Sequence, residues 1–438
     1  MRSAQAPQQA NRRDAGGHRL LATAVATAAL AALLAACGPV SRATPGTPVG
    51  TRDTSTVTYA LQPTAQATYI FPFMGAISHG GDFSIYNVND FQYLMYRPLY
   101  WFGTGVNPYI NPDLSLAYPP TYKGRQVTIR LKSTYKWSNG EPVDANDVVF
   151  WMHMWAAEAP VTQRIGCDKP CSNTYVGATP GGLPGEVTNV KAVSQYVVTM
   201  TLTDGVSPQV FTNNQLSQIT PMPMAWDVTG PNQPGHCTTV VANCDAVYQY
   251  LDKQAKNVSS YGSSPLWGVV DGPWQVKSLD SQGNLTMQFN DKYSGPVQPH
   301  HITKLVEVPF TSDGAEFNVL QDPNGGQAID VGFLPTVDAP VPPAGSNVGA
   351  NPSSLSNYKL HAVYPWEISY FPYNFKNPTV GPIFKQHYFR QAFQDLVDQE
   401  GIINGPLHGY GKVGIGPVAD YPVTSYLSPT MAKKGDPW

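Results

Sequence analysis

A mixed α/β chain folded as more than one lobe is the fold class the sequence predicts, and three observations predict it. Its 438 residues exceed what a single hydrophobic core organises. Hydrophobic residues at 42 % with 11 % aromatic exclude general disorder, while 39 glycines and 41 prolines ask for many turns and argue against a helical bundle. Two-residue and 3.6-residue apolar periods occur in different stretches of the same chain. Charged residues make up only 13 %, so neutral polar side chains must solvate much of the surface.

Residues 1–37 read as a targeting segment outside the fold. Arg2, Arg12, Arg13 and Arg19 make a positive leading region, and an Ala- and Leu-rich apolar run from Leu20 to Leu34 follows. Arg12-Arg13 is ordinary leader charge, because Asp14-Ala15-Gly16 departs from a twin-arginine pattern. Leu34-Ala35-Ala36-Cys37 reads as a bacterial lipobox, with small residues for the peptidase and Cys37 as the residue that takes the lipid. The competing readings are a plain cleaved leader or a membrane span, for which the apolar run is short. Residues 38–56, rich in Gly, Pro, Thr and Ser, read as a flexible tether.

The formal net charge is −3, and residues 1–37 hold four arginines against one aspartate, so the remainder is more acidic still. With no basic run, that balance argues against nucleic acid as a partner. Four cysteines remain after Cys37: Cys167, Cys171, Cys237 and Cys244. An even number in an exported chain suggests disulfides. Three pairings are possible, of which Cys167 with Cys171 and Cys237 with Cys244 close short local loops. A zinc site is the alternative, and neither pair has the two-residue spacing of a zinc knuckle.

Residues 57–62, VTYALQ, alternate as a first strand should, and residues 83–100 predict a helix that ends at Arg97-Pro98-Leu99-Tyr100. In residues 127–155, Val127, Ile129 and Leu131 alternate with Thr128, Arg130 and Lys132 as in a half-buried strand. Ser138, Asn139 and Gly140 supply a turn. Asp144 is placed to cap a helix, and Asp147 adds negative charge to its first turn. Val148, Trp151, Met152 and Trp155 fall on one face, and Trp137 and Trp151 are expected in the core. Residues 196–202 alternate as another strand.

The order Lys136-Trp137-Ser138-Asn139-Gly140-Glu141-Pro142-Val143, then Asp147-Val148-Val149-Phe150, resembles the extracytoplasmic solute-binding proteins of peptide and nickel ABC transporters, family 5. Further segments resemble that family in the same order. They are Arg97-Pro98-Leu99-Tyr100, the stretch Leu266 to Val276 with Asp271-Gly272-Pro273, Asn290-Asp291-Lys292-Tyr293, Gly325 to Gly332, Phe389-Arg390-Gln391-Ala392-Phe393 with Asp398-Gln399-Glu400, and Gly409-Tyr410-Gly411 to Gly416-Pro417. The resemblance implies a two-lobed periplasmic-binding-protein-like fold with an additional lobe II, of the type II, cluster C kind. It assigns lobe I to 57–97 and 216–308, lobe II to 98–215 and lobe III to 309–438. Relatives continue beyond the point where this sequence stops, so lobe III is expected to be incomplete, with an unpaired sheet edge and exposed apolar surface.

No His-Glu-x-x-His or Gly-x-Ser-x-Gly is present, so no catalytic role and no cofactor is assigned. Gly409 to Gly414 matches Gly-x-Gly-x-x-Gly without the preceding strand or following helix that dinucleotide binding requires. His300, His301, His79 and His361 lack metal-ligand spacing. The resemblance places a ligand between lobes. The loop Tyr69 to Ala76, with Phe71, Phe73 and Met74, would line that cleft, although Phe71-Pro72 replaces the family's aspartate-proline pair. In the aromatic stretch 364–375, Trp366 and Tyr370 would offer flat platforms, Asn374 would satisfy peptide amides and Glu367 would receive an amino terminus. Core packing is the competing reading for these aromatics.

The function implied is capture of an oligopeptide by a monomer tethered to the lipid bilayer through Cys37 on the outer face of the cell membrane, and its delivery to an ABC permease and ATPase complex. The alternatives are nickel or another small solute on the same fold, a surface sensor or adhesin, and an exported hydrolase.

Overall fold

The computed structural model describes residues 53–71, 85–102, 109–162, 183, 185–296, 301–322, 329–346, 348–364, 367–414, 416, 418–419 and 427–430; Cys37, Phe73, Met74, Cys167, Cys171 and Trp366 lie outside them. Two four-stranded sheets dominate. The first joins β1 (Thr56–Ala60) to β8 (Trp274–Leu279), β9 (Leu285–Phe289) and β10 (Lys304–Val308) in the order β1-β10-β9-β8. Its β1 and β10 run parallel, with Tyr59 opposite Glu307, and the other pairs are antiparallel. The second is wholly antiparallel, in the order β2-β3-β5-β4, from β2 (Ala117–Lys123), β3 (Gln126–Leu131), β4 (Val187–Ser194) and β5 (Val197–Leu202). A short ribbon pairs β6 (Val228–Gly230) with β7 (Gln233–Pro234).

Alternation explains the second sheet. Val127, Ile129 and Leu131 on β3 and Val198, Met200 and Leu202 on β5 all point into the core, and the register sets Ile129 against Val198 and Val127 against Met200. Each such side chain, fully removed from water, stabilises the fold by roughly 1.5–3 kcal/mol relative to exposure. Beyond the turn, α1 (Ala145–Thr162) begins where expected, with Asp144 Oδ1 accepting from the Asn146 N–H at 2.8 Å and Asp147 Oδ2 accepting from the Asp144 N–H at 2.8 Å. That reciprocal arrangement satisfies donors a helix start leaves open. The expected face of Val148, Trp151, Met152 and Trp155 is buried, with Trp151 stacked on Trp155 at 4.8 Å. Val149, Phe150 and Met154 are buried as well, so this part of α1 is enclosed on more than one side, as its nearly uninterrupted apolar sequence requires.

One large core runs through both sheets and α1 and takes in α2 (Cys244–Ala255), whose first residue forms a disulfide with Cys237. A smaller core gathers Ala60, Phe310, Leu320, Ile329 and Leu355 beside β1. There Ala60 N–H donates to Val331 O and Asp330 Oδ2 accepts from Thr58 N–H, so the 329–332 segment docks along β1. The helix expected over 83–100 is described as Ile85–Asn87 followed by a wider π turn, Val88–Tyr93. In the C-terminal part, α3 (Asp313–Leu320) is joined to α4 (His387–Leu396) by a long connection, α5 (Gln399–Asn404) follows α4 directly, and no ladder strand forms among the described residues of 364–375. No helix among the described residues is long and apolar enough to cross a membrane.

Candidate functional site

The sequence segments that recur in family order converge in space. The turn 136–142 needs glycine at Gly140, where φ is +94°, and closes through Gly140 N–H to Trp137 O and Trp137 N–H to Glu141 O. Ser138 at its tip is held by the 266–276 segment: its N–H donates to Val270 O, its Oγ donates to Gly268 O, and Val270 N–H donates back to Oγ. Lys136 N–H donates to Ser294 Oγ at 3.0 Å. Trp137 turns inward and donates Nε1–H to Asp147 Oδ2 at 3.0 Å; burial pushes the Asp147 carboxyl well above the usual range.

Beneath this turn, Arg97 and Asp271 form a buried joint. Arg97 N–H donates to Asp271 Oδ1 at 3.0 Å, its side chain donates to Leu114 O, and its guanidinium lies 4.2 Å from the Tyr135 ring centroid and 6.0 Å from that of Tyr293. Burial raises the Asp271 carboxyl to about 7, against the opposing pull of Arg97. Gly272 makes the approach possible, because a Cβ there would stand 2.5 Å from the Met95 carbonyl carbon. Asn290 closes the joint by donating from Nδ2 to Gly272 O. These contacts explain the recurrence of the segments as architecture: they lock strand, turn and return segment together.

The sequence-predicted ligand residues are not gathered in one place. Phe71 is 0 % exposed and packs on Trp226, Tyr248 and Trp267 at 5.7, 6.1 and 6.1 Å between ring centroids, so in this conformation it presents no surface to a ligand. The apolar ring that sequence reading placed at a cleft is retained by the aromatic core instead. Tyr370 is 71 % exposed, and Glu367 and Asn374 are exposed on the same segment. Asn374 Oδ1 accepts from the Lys376 N–H at 3.1 Å. Tyr373 supports the segment from behind, with Phe384 at 5.4 Å and Phe393 at 5.9 Å, and Phe371 meets Phe393 at 5.6 Å. Of the histidines considered, His301 and His361 are exposed, and His79 and His300 lie outside the described residues.

Sequence reading did not find the Arg97–Asp271 joint, although both residues stand in segments it singled out. A charged residue next to proline carries no periodic signal that it will be buried. Nor did it find Glu307, an acid wholly buried on β10 that accepts from the Tyr59 hydroxyl, with its carboxyl raised to about 8 by burial.

Comparison with known proteins bears on this geometry. The family described as bacterial extracellular solute-binding proteins, family 5 Middle, matches residues 110–437, well over half of the chain. Among solved structures, the oligopeptide-binding protein AppA from Bacillus subtilis, in complex with a nonapeptide, superposes with a TM-score of 0.51 at 17 % identity, covering 83 % of this chain and 58 % of AppA. The periplasmic binding protein DppA from Helicobacter pylori, in complex with a peptide, gives 0.43 at 13 % identity over 65 % of this chain and 47 % of its own. A periplasmic alpha-galactoside-binding protein of Rhizobium meliloti is 32 % identical over 98 residues, 22 % of this chain and 12 % of that protein. The chain thus spans little more than half the length of AppA and a small part of the curated relative.

Proposed function

Because the chain belongs to the bacterial extracellular solute-binding proteins of family 5, we propose that it is the substrate-binding component of an ABC importer and captures oligopeptides between two lobes. The observation that carries the peptide reading is the 367–375 segment. It holds Tyr370 and Phe371 at 71 and 64 % exposure beside Glu367 and Asn374, whereas the tryptophans Trp137, Trp151, Trp226 and Trp267 are buried. Exposed rings with adjacent amide and carboxylate groups suit a ligand whose main chain needs hydrogen bonds and whose side chains vary. The nonapeptide bound in AppA supports the same reading.

The mechanism is hinge closure. A ligand that touches both lobes only in the shut form has a differential affinity for that form and shifts the open-closed equilibrium toward it. The permease and ATPase complex then recognises the closed surface. In this reading the first sheet belongs to lobe I (57–97 and 216–308), the second to lobe II (98–215), and the exposed aromatic segment to lobe III (309–438). The protein acts as a monomer without cofactor, held outside the cytoplasm by lipid on Cys37.

Isothermal titration of the full chain against peptides of mixed length tests this, with saturable heat expected and weakened by Tyr370→Ala. Silence across peptides with a response to nickel or sugars instead would favour the second reading, a different solute on the same fold, for which the alpha-galactoside-binding relative is the supporting observation on the sugar side.

A further inference from the structure

We propose a second ligand site, separate from the inter-lobe cleft, that takes a neutral saccharide in the pocket where the start of β2 meets the end of β3. The pocket is an open depression of about 620 Å³, lined chiefly by Asp113, Tyr118, Lys132, Ser133, Thr134 and Tyr135. Its volume falls within the roughly 300–1,000 Å³ of small-molecule sites.

Backbone irregularity positions one wall. The β2–β3 register shifts between Tyr118 and Thr121, where Pro119-Pro120 interrupts the ladder donors, and Tyr118 O is anchored by the buried Tyr100 hydroxyl at 2.9 Å. Such bulges bend a strand and re-aim its side chains. Tyr118 is 55 % exposed as a result, a large ring presented to the pocket on an otherwise regular sheet. The other wall is rigid. Tyr135 is buried beneath the Arg97 guanidinium, which also binds the carbonyl of Leu114, another lining residue. Arg97 Nη1 has no hydrogen-bond partner among the described residues, so a buried donor stands directly behind this wall.

Charge selects the ligand. Lys132 Nζ donates to Pro112 O and sits 5.8 and 5.7 Å from the Tyr118 and Tyr135 ring centroids, where it repels a cation that would otherwise occupy those faces. Asp113 is exposed in the same pocket and disfavours an anion. One positive and one negative side chain together favour a ligand without net charge. A carboxylate and two hydroxyls, Ser133 and Thr134, call for a ligand rich in hydroxyl groups, and the exposed Tyr118 ring calls for one with a flat apolar patch. A pyranose ring has both.

The test is saturation-transfer NMR and isothermal titration of the full chain with galactose, maltose and lactose, alongside glycine as a zwitterionic control and inorganic phosphate as an anionic one. Saturable saccharide binding is expected, weakened at least about tenfold by Tyr118→Ala and by Asp113→Ala and retained in Tyr118→Phe, which keeps the ring. Both altered residues are exposed, so unchanged circular dichroism checks that the variants fold. Absence of saccharide binding, a preference for glycine or phosphate, or saccharide binding indifferent to both alanine variants would overturn the site. The last result would place the sugar in the inter-lobe cleft and bear on the solute reading instead.

Discussion

Residues 53–310 and residues 311–430 are both rich in aromatic side chains, yet they treat them in opposite ways. In the first region Trp226 is fully buried, with Tyr96, Trp267 and Phe71 at 5.4, 5.2 and 5.7 Å, and two sheets, α1 and α2 surround the assembly. In the second, Tyr373 also meets several rings, but α4 has no buried residue, and Tyr388 and Leu396 are 70 and 82 % exposed. The difference lies in layers. A ring leaves water only when elements cover it from both sides, and the second region offers helices and extended connections where the first offers sheets. What this teaches is that burial of an aromatic ring here follows the number of layers around it, and that the recurring motif segments mark structure.

The comparison is broken or sharpened by substitution. Trp226→Ala should cost about 3–5 kcal/mol, read as a large fall in the urea midpoint, because it removes a ring with three aromatic neighbours and the Nε1–H bond to Leu266 O. A small effect would mean that the first region is no better packed than the second. Replacing both Cys237 and Cys244 by serine should cost about 2.5 kcal/mol on the loop-entropy argument for so short a loop, with a matching loss when the intact protein is reduced before melting.

A pH effect comes next, and its sign follows from burial. Asp90 and Asp271 in the larger core are raised to about 7, and Glu307 and Glu316 near the smaller one to about 8 and about 7, in each case chiefly by burial. The folded state therefore holds protons that the unfolded chain, with carboxyls near 4, has released. Stability is fully present below about pH 4 with respect to these groups and is lost as pH rises toward about 8. Glu307→Gln keeps an acceptor for the Tyr59 hydroxyl and should flatten the melting profile in that window, raising stability over the parent at pH 8. Parallel profiles would exclude Glu307 as a contributor. Smallest of all, Leu396→Ala should shift stability by only about 0.5 kcal/mol or less, since little apolar surface is lost from contact.

Much of the fold was legible from local pattern. The strands at 127–131 and 197–202, the glycine turn, the start of α1 and the burial of Trp137 and Trp151 follow from alternation, turn chemistry and capping, which are properties of neighbouring residues. The Cys237–Cys244 bond was one of the local pairings open to the four cysteines. The candidate site was less legible. Tyr370, Glu367 and Asn374 do lie exposed along one segment, but nothing local distinguishes Phe71, which is buried, from Tyr370, which is not.

Pattern within a few residues determined the family's elements and their order. The tertiary structure alone decided that Arg97 meets Asp271 across 174 residues, that Glu307 faces Tyr59 across a parallel ladder, and that a bulge presents Tyr118 to a pocket. The physical reason is the same in each case: periodicity states which way a side chain points, while its burial, charge state and partner depend on what the rest of the chain brings to that point.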